Sequence, residues 1–386
     1  MLILSRILTK PGDMKKIYIS VINDIITDER VNKITRTLLK AETKIVLIGR
    51  KLQKTYPSPS EAFKIYRFRL LFKKGPLFYT FFFFFLFVFL LFKNPDILVA
   101  NDLDTLLPNY LVSRIKKIPL VYDSHEYFTE VPELQERPFV KNIWKAIEKR
   151  ILPHLSYSMT VSNPIATIYG EEYNIPMEVI RNLPPYIKPE IIQKAKKESF
   201  TKDSKTIVYR GSLNKGRGLE YMIHAMDYLP GYKLIIVGDG DITAELKKMA
   251  QKGKHPGQIV FTGRVPYQDL FQYTVNANIG ISIEENLGLN YRYALPNKLF
   301  NYIQSRIPVL VSDLPEMAAL VNEYKIGEVI KNHDSIHIAH KIEEITKKQE
   351  NQHYTENLEQ AARIFCWENE EPQVQKLYKK LGLNFS

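Results

Sequence analysis

Residues Lys205–Glu220 read KTIVYRGSLNKGRGLE. A short apolar run of the kind found in a buried parallel strand ends at Tyr209, and an amphipathic pattern begins at Leu219. Three glycines lie between them, with Lys215 and Arg217 in the turn. Glycine lets a backbone come close to an anion, and a helix that starts just after the turn adds partial positive charge. The stretch therefore predicts a strand, a turn suited to phosphate and a helix. It is not a Walker A loop, because no Gly-Lys-Ser/Thr follows at the required spacing. A plain strand-to-helix turn is the competing reading.

The same alternation continues on the C-terminal side. YKLIIVGDGD (232–241), GQIVFTGRV (257–265), ANIGISI (277–283) and IPVLVSD (307–313) read as strands, with helices expected at Leu219–Leu229, Ile242–Gln251 and within PNKLFNYIQS (296–305). Upstream, KKIYISVI (15–22), TKIVLIGR (43–50), PDILVAND (95–102), IPLVYDSHE (118–126), YSMTVSN (157–163) and MEVIRNLP (177–184) repeat the pattern, with a helix expected near Val31–Ala41. Helices between parallel strands imply right-handed crossovers. Two doubly wound α/β domains are predicted, over 14–190 and 205–365. A polar, lysine-rich linker joins them, and a C-terminal helix in 366–386 is expected to pack back on the first domain. Ligands of such sheets bind outside the carboxyl ends of the strands, which places a cleft between the domains.

The 386 residues suit two domains, and 45% hydrophobic with 25% charged residues is globular composition. Lys and Arg number 54 against 42 Asp and Glu, a formal charge of +12, which favours anionic partners. The basic residues are spread out and no nucleic-acid motif is present, so no nucleic-acid partner is expected. A single cysteine, Cys366, rules out an internal disulfide and a cysteine-based zinc site. No metal site is predicted. The opening MLILSRILTKPGD lacks a signal-peptide pattern, and translation is expected to start at Met14.

Four groups of residues carry candidate chemistry. In the 211–220 turn these are Gly211, Ser212, Lys215 and Arg217. The VGDGD turn supplies Gly238 and Asp239, although it lacks the full dinucleotide fingerprint. After Pro296, a usual residue at a helix start, Asn297 and Lys298 fall at a helix N-terminus. In the first half, VYDSHEYF puts His125 just past a strand end, where a histidine of near-neutral pKa relays a proton or bonds a sugar hydroxyl. A structural loop histidine is the alternative. Asn101, Asp102 and Asp104, at another strand end, either line an acceptor pocket or cap the next helix.

Taken in order, RGSLNKGRG, IVGDGD, VFTGRVP and ALPNKLFNYIQSRIPVLVSD resemble the family-4 retaining glycosyltransferases of the GT-B fold. The resemblance covers nearly the whole chain and is strongest from Ile207 to Gly327. It implies two Rossmann-like domains facing a central cleft. It also implies transfer of a sugar from a nucleotide diphosphate sugar with retained configuration, with no essential metal and no cofactor. The family's loop arginine corresponds to Ser212 and its loop lysine to Arg217. Its paired glutamates correspond to Tyr293 and Asn301, of which Asn301 still bonds a hydroxyl. Arg264 and Val265 match the segment bordering the nucleobase. A polar first loop, NDIITDERV, stands where many relatives are glycine-rich. The implied role is transfer to a lipid-linked or glycan acceptor in cell-surface glycan synthesis, such as lipopolysaccharide. A non-catalytic sugar-nucleotide-binding subunit and a nucleotide-sugar epimerase of the same fold are the alternatives.

FYTFFFFFLFVFLLF (78–92) is the one low-complexity segment. From Pro76 to Phe92 it would form a helix of about 25 Å, against a bilayer core of about 30 Å. A span would separate strands that must share a sheet. The expected role is instead a membrane-associating helix at an anionic surface, with a buried core helix as the competing reading; the former places the protein in the cytoplasm at the inner face of the plasma membrane.

Overall fold

The computed structural model describes residues 14–23, 25, 28–51, 62–196 and 205–385. The expected start at Met14, part of the polar loop after Ile22 and the second half of the lysine-rich linker border or fall on residues outside this set. The chain divides into two compact units. The first comprises 1–129, 138–180 and 371–386, and the second 130–137 and 181–370.

The first unit holds a seven-stranded sheet: β1 (Lys16–Ser20), β2 (Lys44–Arg50), β3 (Lys64–Phe68), β4 (Ile97–Asn101), β5 (Leu120–Ser124), β6 (Tyr157–Thr160) and β7 (Glu178–Val179). Their order is 3-2-1-4-5-6-7 and every pairing is parallel. The central strands β4 and β5 are buried along their whole length, as sheets covered on both faces require. The strand β3 was not expected. KIYRF is half exposed and carries two cations, so its apolar signal is weak, as suits an edge strand.

The apolar run forms one helix, Gly75–Leu91, with Pro76 in its first turn. It is the crossover that carries the chain from β3 to β4 on the far side of β1. Phe78, Phe82, Leu86 and Leu90, four residues apart, are its buried stripe. Tyr79 and Phe83 meet Trp144 of helix Pro138–Ile151 at 5.2 and 6.2 Å between ring centroids, and Phe89 meets Tyr66 and Phe68 of β3. Among the described residues no helix is long and apolar enough to cross a membrane.

The second unit holds a six-stranded, all-parallel sheet: β8 (Lys205–Arg210), β9 (Tyr232–Val237), β10 (Ile259–Gly263), β11 (Ile279–Ser282), β12 (Val309–Ser312) and β13 (Gly327–Ile330). The order is 10-9-8-11-12-13. Five of these strands were expected. β13, with the sequence GEVI, is too short and too polar to stand out. In both sheets the strand order reverses beside the first strand, between β1 and β4 and between β8 and β11. Ligands of this architecture bind beyond the carboxyl ends at that point.

The predicted domain limits differ from the compact units in three places. Residues 181–190, expected in the first domain, belong with the second unit. Glu130–Arg137 belongs with the second unit: the Glu130 carbonyl oxygen lies 3.2 Å from where a Cβ on Gly288 would sit. Within the C-terminal helix Trp367–Lys379, Glu370 takes the Arg181 guanidinium in the second unit. From Glu371 onward the residues belong to the first, where Glu371 accepts hydrogen bonds from Thr37 and Lys40.

Candidate active site

In the second unit, β8 runs into the glycine turn and then a seven-residue helix, Leu219–Ala225. The turn lies directly on the exit of β11. Gly218 has φ +73°, and a Cβ there would sit 2.1 Å from the carbonyl oxygen of Ile283, so only glycine fits. The Glu285 N–H donates to the Gly216 carbonyl at 2.9 Å. These contacts bring Arg217 beside Glu284, two residues past the end of β11. The helix Asn297–Gln304 adds Lys298 from its first turn.

Glu284 is the centre of this cluster and is fully buried. Lys298 Nζ donates to its Oε1 at 2.5 Å, Arg217 Nη1 stands 3.5 Å from the same oxygen, and Ser282 Oγ donates to Oε2 at 2.8 Å. Each cation also covers an aromatic face. Lys298 lies 4.2 Å from the Tyr209 ring centre and the Arg217 guanidinium 4.7 Å from that of Tyr291. Burial favours the neutral acid, but Lys298 and then Arg217 overcome it and hold the Glu284 carboxyl below its usual range. Burial pulls Lys298 down to about 8, with Glu284 holding it up and Arg217 adding to the fall. Two cations and one carboxylate thus converge where the sheet reverses, an arrangement that suits an anion.

The other predicted positions in this unit contribute differently. The Gly211 N–H donates to the Val237 carbonyl and that of Gly238 to the Gly263 carbonyl, both at 3.0 Å. Neither amide is left for a phosphate, contrary to the sequence expectation. These glycines instead allow close approach of the two turns, since a Cβ on Gly238 would fall 1.9 Å from the Gly211 oxygen. Ser212 is exposed and its carbonyl accepts from the Tyr209 hydroxyl. Lys215 points to Glu136 in an exposed pair at 3.4 Å. Asp239 accepts from Thr243 and Gly240 and stands 3.8 Å from Arg264. Val265 packs on the unit's core. Asn297 is exposed at the helix start, and Asn301 turns back to donate to the Asn297 carbonyl at 2.7 Å. Lys298, for which a solvated lysine was the competing reading, is buried.

In the first unit, Asn101, Asp102, Asp123 and His125 meet at the ends of β4 and β5. The His125 N–H donates to Asp102 Oδ1 at 2.8 Å. Its Nδ1 stands 3.3 Å from Asp102 Oδ2, and its Nε2 lies 3.1 Å from Asn101 Oδ1 and 3.4 Å from Asp123 Oδ2. Behind it, Arg30 holds Asp123 through Nε and Nη2 and donates through Nη1 to the Ile180 carbonyl. Burial disfavours a charged imidazole, but Asp102 and then Asp123 raise the His125 pKa to about 10. Burial likewise opposes ionisation of Asp123, yet Arg30 and His125 lower it to about 2. The expected near-neutral histidine is instead an imidazolium held between two carboxylates. It donates hydrogen bonds and is a poor proton acceptor at neutral pH.

Asp102 does not cap the following helix through its side chain. It has φ +59° and ψ 169°, a conformation nearly restricted to glycine. A non-glycine residue held there points to a functional constraint, and its carboxylate fixes His125. Asp104 is buried in the helix Leu103–Lys116, and burial followed by the Asp102 charge keeps its carboxyl well above the usual range. Among the described residues no group of three or more His, Cys, Asp or Glu is placed to hold a metal ion.

Sequence reasoning missed Glu284, Tyr209, Tyr291 and the Arg30–Asp123 pair. A carboxylate just past an apolar strand at a sheet's carboxyl end was a usable signal for Glu284. The aromatic platforms look like core residues in sequence.

Residues 30–190 match the domain family described as Glycosyltransferase Family 4, and residues 190–364 match Glycosyl transferases group 1. Solved structures share the fold along the whole length. Sucrose-phosphate synthase from Thermosynechococcus elongatus superposes with a TM-score of 0.73 at 15% identity, covering 95% of this chain and 99% of that one. WaaG, a glycosyltransferase involved in lipopolysaccharide biosynthesis, gives 0.70 at 15%, covering 94% and 99%. Anabaena HepE in complex with UDP-glucose gives 0.68 at 14%, covering 95% and 99%. No curated protein matches by sequence. With both family matches in succession and two parallel-sheet domains of the GT-B type, the chain belongs to the family-4, group 1 glycosyltransferases.

Proposed function

We propose that this glycosyltransferase moves a hexosyl group from a nucleotide diphosphate sugar to a lipid-linked or polysaccharide acceptor, with retained configuration and without a metal ion or cofactor. The setting is cell-surface glycan synthesis at the inner face of the plasma membrane. The observation that carries the donor part is the convergence of Arg217 and Lys298 on buried Glu284 where the sheet order reverses. HepE, of the same fold, is described with UDP-glucose bound, which favours a nucleoside diphosphate as the anion here. WaaG's role in lipopolysaccharide biosynthesis favours a glycan acceptor.

In this reading the anomeric C–O bond breaks and its electron pair leaves with the diphosphate. Arg217 and Lys298 neutralise the charge that builds there, and a preorganised site does so without reorganising. Arg217 and Lys298 are the catalytic and donor-binding cations, with Arg264 and Val265 beside the base and Asn297 and Asn301 near the ribose. His125, its ring held by Asp102 on one side and by Asn101 and Asp123 on the other, supplies a fixed positive charge rather than a proton relay. The acceptor oxygen bonds the anomeric carbon, and its proton leaves with the departing phosphate.

Titration of a panel of nucleotide sugars, followed by product analysis with each donor that binds, tests the proposal. Arg217→Ala is expected to stay folded and to lose about 10²–10³ in turnover, the typical cost of one such donor group. Unchanged turnover refutes the assignment. A non-catalytic binding subunit is the second reading, favoured by Tyr293 and by Asn301, whose amide is spent on its own helix. Donor binding without transfer or hydrolysis by the purified chain would establish it.

A further inference from the structure

We infer that the exposed face of helix Gly75–Leu91, with the basic residues just before it, docks shallowly into an anionic lipid bilayer. The helix is apolar all round, yet the fold uses only part of it. Opposite the buried stripe, Leu77, Phe81, Phe84 and Phe85 are exposed, Phe84 by 61%, and Leu71 and Phe92 flank them at 84% and 79%. Exposed aromatic side chains gathered on one helix face mark an interaction surface rather than the scattered exposure of an ordinary monomer.

Charge selects the occupant. From Ala62 to Pro95 the chain has six Lys or Arg and no Asp or Glu. Arg69, Lys73 and Lys74 are exposed immediately before the helix. The neighbouring helix Pro138–Ile151 repeats the composition: Phe139 and Ile143 are exposed, Lys149 and Arg150 are exposed, and its one acid, Glu148, is buried. Aromatic groups beside cations, with no exposed acid, match an interface of acyl chains and anionic headgroups. Topology fixes the depth. The helix joins β3 to β4 within one sheet, so both of its ends stay on one side and the bilayer takes only the outer stripe.

The inference is independent of the donor reading, because vesicle binding needs no sugar nucleotide. The full chain is floated with phosphatidylcholine vesicles, with and without phosphatidylglycerol. Binding is expected only with the anionic lipid, and is expected to weaken as salt rises. Lys73→Glu with Lys74→Glu is expected to lower partitioning by about 30-fold or more, at about fivefold per cation near the surface. Phe81→Ser/Phe84→Ser/Phe85→Ser is expected to abolish flotation with an unchanged circular dichroism spectrum. Phe84→Ser alone, at the most exposed position of the three, gives a partial loss should the triple variant misfold. Equal flotation on neutral vesicles, no flotation, or flotation unaffected by Phe84→Ser overturns the inference. So does a wild-type dimer without vesicles that Phe84→Ser turns to monomer, since a second copy would then own the face.

Discussion

Glu284→Gln removes the anion that two cations share while keeping its shape. In the wild type Lys298 titrates at about 8, below the ordinary lysine value because burial outweighs the attraction of Glu284. A charged neighbour within hydrogen-bond reach shifts a pKa by about 1–3 units, so the variant's Lys298 should titrate between about 5 and 7. A nucleotide diphosphate sugar keeps its charge throughout that range, so the titration belongs to the protein. The pH dependence of kcat/KM for the donor reports the free enzyme's groups. Wild-type kcat/KM should therefore fall about tenfold per pH unit above 8. At pH 7.5 the variant should be lower by about 3- to 250-fold, and should recover as pH drops below its own midpoint. Lys298→Arg should lose the alkaline limb, because a guanidinium stays protonated. The reasoning fails if Glu284→Gln keeps the wild-type midpoint or if Lys298→Arg keeps the limb.

Three further outcomes are expected. Burial raises the Glu148 carboxyl to about 7, despite hydrogen bonds from Thr129, Tyr169 and Tyr173, so the folded state holds a proton that the unfolded chain releases. Its contribution is full below the ordinary pKa of 4.5 and falls by about 3 kcal/mol as pH rises through 7; Glu148→Gln should flatten the melting temperature over that window. The His125 contribution has the same sign in a higher window: present below 6.5, lost as pH rises through about 10, and absent in His125→Asn melts. Gly218→Ala forces a Cβ onto the Ile283 carbonyl oxygen and should lower stability by more than about 1 kcal/mol in denaturant unfolding, with donor affinity falling as well.

The fold was legible where residues obey one rule at a time. Buried parallel strands are short apolar runs, and eleven of the thirteen could be read directly. The two missed, β3 and β13, are partly exposed edge strands whose polar residues blur the pattern. The site was less legible because its chemistry is pairwise. Arg217 and Lys298 stood out as cations beside a turn and a helix start, yet nothing local says that they share Glu284. Likewise His125 alone suggests a near-neutral proton relay, and only the convergence of Asp102 and Asp123 makes it an imidazolium. The amides of Gly211 and Gly238 illustrate the reverse case, in which a suitable motif is already occupied by neighbouring strands.

The phenylalanine helix also has a consequence for synthesis. Its seventeen residues leave the ribosome before β4, the strand that must lie against β1. Until β4 emerges, the stripe of Phe78, Phe82, Leu86 and Leu90 lacks its later packing partners, such as helix Leu103–Lys116. Closure of this parallel sheet therefore waits on late, non-local pairing, and the apolar stripe stays open to aggregation for as long as β4 is delayed.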